Sequence, residues 1–164
     1  MDGAPIEAEI YLSYGQFMVF DRSVRLPGCD WTEAHFAQGF ARRDSVAAIR
    51  ALAEFGDARL RVFSGGYRAL DEYTRVMAVP FAVTSGVVLV EGPEGNGDGL
   101  SIDLAAGDYR LVVAQTWTDD QRLALDLFFE RLARPLAGSE ILLCDEELNP
   151  PSPLIETAAI AGQD

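Results

Sequence analysis

The chain has 164 residues, 49% of them hydrophobic, and its 13 basic residues, all arginine, face 26 acidic ones for a formal net charge of −13. Such a length supports one core and not two, and such a charge argues against nucleic acid as a direct partner. No apolar run approaches the roughly eighteen residues that cross a bilayer, and the start MDGAPIEAEIYL has no basic region ahead of an apolar stretch. A single cytoplasmic domain over 1–164 with no membrane partner is therefore expected.

Residues 1–8 are expected to be loose, and the apolar run 9–20, with Tyr11, Leu12, Phe17, Val19 and Phe20, to form one strand at the heart of the fold. Asp30-Trp31-Thr32-Glu33 predicts a short helix, with Asp30 as cap and Glu33 reaching back to it. Phe36 and Phe40 would share its buried face, and Gly39 sits near its end. The stretch 45–55 fits a second helix through its alanines, or a strand through Val46 and Ile49.

Further strands are expected at 59–63, 73–79, 81–84, 87–90, 100–104 and 109–115. Leu123, Leu125, Leu127 and Phe129 alternate with Ala124, Asp126 and Glu130, as in a strand with one wet face. Thr84-Ser85-Gly86, the glycine-rich 92–99 and Ala106-Gly107-Asp108 supply turns, the last joining Leu104 to Tyr109 as a tight hairpin. A strand at 141–144 and an acidic, proline-rich tail over 145–164, with a short helix at 154–159, close the chain. The fold class this predicts is mainly β: an antiparallel two-sheet β-sandwich with one short helix after the first strand.

Chemistry is hard to find. Cys29 and Cys144 read as reduced thiols, and with His35 as the single histidine no metal site is expected. There is no GxGxxG, GxxxxGK[ST] or GxSxG; the 92–99 loop carries Glu94 and Asp98 where a phosphate cradle needs basic or neutral neighbours. His35 reads as an ordinary, partly exposed side chain. No catalytic residue and no cofactor are expected, and the protein reads as a binder rather than an enzyme.

The surface suits recognition. Residues 76–164 carry four arginines against fifteen acids, and acids stand in blocks at Asp119-Asp120 and Asp145-Glu146-Glu147. Those blocks would attract a basic partner, and Trp31 is the aromatic anchor expected beside them. The competing reading is a carbohydrate- or small-ligand-binding sandwich, even a weak hydrolase, built on aromatics and paired carboxylates. A third is a structural module whose tail docks elsewhere.

Three stretches also resemble a known family. They are Ser13-Tyr14-Gly15-Gln16-Phe17-Met18-Val19-Phe20; then Asp30-Trp31-Thr32 with Gln38-Gly39-Phe40-Ala41; and Leu100-Ser101-Ile102-Asp103-Leu104 through Gly107-Asp108-Tyr109-Arg110-Leu111. In order and spacing they resemble the competence protein J family over about residues 9–115. The resemblance implies a cytoplasmic protein that binds and inhibits a DNA-entry nuclease. It marks Gln16, Phe17, Phe20, Asp30, Trp31, Thr32, Asp108 and Tyr109 as motif positions, and leaves the segment from Glu130 onward without a counterpart.

Overall fold

The computed structural model describes residues 4–93 and 99–162. Eleven strands and one six-residue helix are seen among them. One sheet has the order β1 (Ile6–Leu12), β5 (Gly56–Ser64), β10 (Leu123–Leu132), β9 (Gly107–Trp117), β6 (Arg75–Val83), β11 (Glu140–Leu143). The other has the order β3 (Phe40–Arg43), β4 (Val46–Arg50), β2 (Gln16–Asp21), β7 (Val87–Glu91), β8 (Leu100–Asp103). Their facing sides close one core, in which Leu60, Leu111 and Leu125 of the first sheet meet Phe17, Val19 and Ile49 of the second. The mainly-β, two-sheet class expected from the sequence is what forms.

Several details differ. The run 9–20 is two strands, because Tyr14 and Gly15 take φ of 55° and 67°, the consecutive positive values of a tight reversing turn. From that corner β1 joins β5 in one sheet and β2 joins β4 and β7 in the other. The helix α1 (Glu33–Gln38) therefore follows the second strand. The expected hairpin at 104–109 is likewise a crossing between sheets, since β8 pairs with β7 whereas β9 pairs with β10 and β6. The sheets are also not wholly antiparallel: β5 and β10 run parallel, Leu60 beside Leu125.

The stretch 45–55 contains β4 and no helix. Val46 and Ala48 face outward under a second cluster, while Ala47 and Ile49 face the core, so burial on both sides overrides alanine's helix preference. β10 has no wet face, because residues 123–129 are all buried. Its outer side is covered by β5 and the segment after it: Phe63 of β5 stacks on Phe128 at 4.9 Å, Tyr67 meets Phe128 edge-on, and the Tyr73 hydroxyl donates to Asp126 at 2.6 Å. Arg61 completes that cover with a bidentate pair to Asp126 at 2.7 and 2.8 Å.

α1 is capped by Thr32, whose hydroxyl accepts from the His35 amide, while the Thr32 amide donates to His35 Nδ1 at 3.0 Å. Neither Asp30 nor Glu33 makes the box. Gly39, at φ 91°, ends the helix and turns the chain into β3. That reversal separates the two phenylalanines: Phe40 is buried, and Phe36 is 54% exposed.

The segment expected as a tail lies along α1 and β3. Asn149 donates from its amide to Ala37, Gln38 exchanges two hydrogen bonds with Ile155, and Asp30 donates from its amide to Ala159. Residues 154–159 form no helix. Of the glycine-rich loop, 94–98 lie outside the described residues. Gly92 leads into it against β1, where a Cβ would meet the Tyr11 carbonyl oxygen at 2.1 Å, so only glycine fits there.

Candidate partner-docking face

One end of the sandwich collects the corner at 13–15, the β4–β5 loop at 51–55, the β9–β10 turn at 118–122 and the chain leaving β11. Beneath these loops lies a polar layer built on two fully buried side chains, Gln115 and Arg75. Gln115, fully buried, accepts the Leu52 amide at 2.9 Å and donates to the Arg50 carbonyl at 3.0 Å. Arg75, also fully buried, donates to the same carbonyl, and gives Nε and Nη2 to the two oxygens of Asp145 at 2.6 and 2.9 Å. A guanidinium taken wholly out of water requires such a partner. These bonds hold the loops above them in place.

Above that layer stand exposed aromatics: Tyr14 at 72%, Phe55 at 57%, Phe36 at 54% and Trp117 at 45%. Tyr14 and Phe55 meet edge to face at 5.6 Å, and the Arg50 guanidinium covers the Phe36 ring at 3.7 Å. Two shallow concavities separate them. One, about 300 Å³, is lined by Tyr14, Phe36, Arg50, Leu52, Glu54 and Glu147. The other, about 480 Å³, is lined by Leu52, Thr74, Trp117, Asp145, Glu146 and Glu147. Shared Leu52 and Glu147 make them one continuous surface. Exposed aromatics gathered with acids at their rim have the composition of a protein-binding patch.

The acids picked out by sequence sit unequally on this face. Asp119 and Asp120 are exposed at the tip of the β9–β10 turn, where the Thr118 hydroxyl donates to Asp120 and holds its carboxyl below the usual range. Glu146 is exposed, with no partner among the described residues. Glu147 is half committed, 3.2 Å from Arg75 with its side chain 56% exposed. Asp145 is spoken for by Arg75, whose hydrogen bonds hold its carboxyl below the usual range against the opposing effect of burial.

Trp31 is elsewhere. It lies half-buried beside Met18, Phe20 and Ala48 on the outer side of the second sheet, so its indole serves packing. The other motif positions are mostly architectural: Phe17 and Phe20 are buried, Thr32 is the helix cap, and Asp30 meets Ala159 through its backbone. Gln16 begins β2 at the aromatic end, opposite Arg50. Asp108 and Tyr109 belong to the far end, where a cavity of about 340 Å³ is lined by Arg42, Asp44, Phe81, Asp108, Tyr109 and Glu156. Tyr109 is 4% exposed, with its hydroxyl donating to the Ala105 carbonyl.

His35 is 4% exposed, not partly exposed as expected, and both ring nitrogens meet the backbone: Nε2 donates to the Thr157 carbonyl at 2.8 Å, and Nδ1 accepts from Thr32. Of the thiols, Cys29 is buried and Cys144 exposed, and they are unbridged. No helix among the described residues is long and apolar enough to cross a membrane. Sequence reasoning placed Phe36 on a buried helix face and missed Phe55 as a surface residue; both are exposed.

Residues 9–130 match the family model described as Competence protein J (ComJ). The chain belongs to the competence protein J family. A curated relative, the DNA-entry nuclease inhibitor of Bacillus subtilis (strain 168), is 30% identical over 110 residues, which cover 67% of this chain and 79% of that protein. The fold matches the crystal structure of ComJ from Bacillus subtilis, described as an inhibitor of the DNA degrading activity of NucA. That match has a TM-score of 0.71 at 24% identity and covers 80% of this chain and 99% of the other. A more distant likeness, TM-score 0.52 at 14% identity, is to a protein described as Crocagin biosynthetic gene J, over 79% of this chain and all of that one. The competence protein J match spans ten of the strands and α1, and stops before β11.

Proposed function

We propose that the protein is a non-enzymatic, cytoplasmic inhibitor of a DNA nuclease, acting in the manner of an immunity protein, and that it docks through the aromatic, acid-rimmed end. Membership of a family whose curated relative is a DNA-entry nuclease inhibitor carries the reading. The surface supports it physically. Fully burying one large aromatic is worth about 1.5–3 kcal/mol, so the exposed parts of Tyr14, Phe36, Phe55 and Trp117 together offer a gain to set against the cost of association. Asp119, Asp120, Glu146 and Glu147 surround them with negative charge that suits a basic partner.

A nuclease holds phosphates with basic residues. Acids placed over that groove occlude it, and the inhibitor itself makes no contact with nucleic acid. The small-ligand reading would use the cavity at the far end, but Phe81 and Tyr109 there are 2% and 4% exposed and present no ring face to a sugar.

Titrating a DNA-entry nuclease with the purified protein tests the reading. DNA degradation should fall to zero at a fixed stoichiometry, with a complex visible by size exclusion. Undiminished degradation at micromolar inhibitor, with no complex, would overturn it.

A further inference from the structure

The family match ends at residue 130, and the chain beyond it contributes β11 and the strap over α1. This addition is fastened to the body by groups that cannot be left alone. Arg75 is fully buried and takes Asp145 and Glu147 as its counter-ions. Arg50 donates to the Glu147 carbonyl, Leu148 is buried, and the Asn149 amide reaches Ala37 at 2.8 Å. Backbone and buried side chains thus fix 145–149 against the docking end.

With Asp145 turned inward to Arg75, Glu146 is left exposed. It shares a concavity of about 480 Å³ with Trp117, Leu52 and Thr74. Only Leu52, Thr74 and Trp117 of that lining come from within the family match; its acids come from the addition.

We propose that this concavity receives one basic side chain, an arginine or lysine, of the partner, and that the segment after residue 130 thereby sets which nuclease is recognised. The proposal rests on the docking reading above. Each wall suits a different part of such a side chain. Leu52 and Trp117 take the methylenes, the exposed Trp117 ring attracts the cationic head, and the Glu146 carboxylate supplies a charge-assisted acceptor. Arg75 beneath does not repel the incoming charge, because two carboxylates already neutralise it. A divalent metal fits less well: Asp145 is engaged, and no group of three or more metal-ligating side chains occurs among the described residues.

The test uses the full chain and inhibition of a DNA-entry nuclease. Glu146→Arg should weaken inhibition roughly tenfold or more, with an unchanged melting temperature. Glu140→Arg makes the same change in net charge at the far end of β11, where Glu140 is exposed, and should shift inhibition less than about twofold, as rim charges away from contact do. Trp117→Ala should speed dissociation. Equal effects from Glu146→Arg and Glu140→Arg, or dissociation indifferent to Trp117→Ala, would overturn the inference alone. Failure of the unaltered protein to inhibit or bind the nuclease would overturn the docking reading with it.

Discussion

Arg75 and Asp145, 70 positions apart in the chain, form a two-pronged ion pair at 2.6 and 2.9 Å directly under the exposed aromatic end. Removing the carboxylate would leave a fully buried guanidinium with Glu147 as its one remaining counter-ion. Asp145→Ala should therefore cost about 3 kcal/mol, the low end for breaking a buried pair, whereas Glu146→Ala should be close to neutral. Urea denaturation of the two variants separates them. Equal, small effects would mean that Arg75 is satisfied without Asp145.

Acid should destabilise the fold in a defined window. Burial pushes the Asp21 carboxyl up, but hydrogen bonds from the Ser23 amide and hydroxyl and from the Thr84 and Ser85 amides outweigh it and hold it well below the usual range. Asp145 is depressed as well, by Arg75. For groups lowered on folding, the stabilisation is fully present above the unfolded carboxylate value near 4 and is lost as pH falls toward the folded one. Stability should be flat from about pH 5 to 7 and fall below that. Asp21→Asn, uncharged throughout, should be less stable at neutral pH and lose less on acidification; a parallel pH profile would rule out Asp21 as a source.

Inhibition should weaken as salt rises, since steering by exposed charge is screened over roughly 8 Å at physiological ionic strength. Reversing Asp119 and Asp120 to arginine should chiefly slow association. Stopped-flow rates at two salt concentrations measure both. Indifference to salt and to reversal would assign the acidity to solubility.

Aromatics of the core and of the end face should respond oppositely. Phe17, with no exposed surface, should cost about 3–5 kcal/mol as Phe17→Ala and leave the affinity of the folded fraction unchanged. Tyr14→Ala and Phe55→Ala should barely move the melting temperature and should speed dissociation. Trp31→Ala belongs with the first group: its packing on Met18 and Phe20 predicts lost stability, and an accelerated dissociation with intact stability would return Trp31 to the interface.

Local pattern carried the strands, because alternation and turn residues report directly on a half-buried chain. It also placed α1 to within a residue or two, since capping is a short-range event. What it missed depends on partners distant in sequence. The alanines of β4 look helical until β2 and β3 flank them. Phe36 and Phe40 look paired until Gly39 breaks the register between them. Asp145 looks like one of three equivalent acids, and only the arrival of Arg75 distinguishes it from Glu146. The aromatic end was illegible for the same reason: Tyr14, Phe36, Phe55 and Trp117 converge through topology, with no motif linking them.

The parallel neighbours β5 and β10 bear on how the chain is made. β10 sits between β5 and β9 in the middle of its sheet, yet among the six strands there only β11 is synthesised later. Until residues 123–132 are made, β5 has β1 as its one neighbour in this sheet, and the sheet's central position is vacant. Two-stranded ribbons are barely stable alone, and pairing strands so far apart is slow because the intervening loop must close first. Completion of the first sheet thus waits until β10 and β11 have been made, and until then unpaired strand edges must be kept from meeting their like.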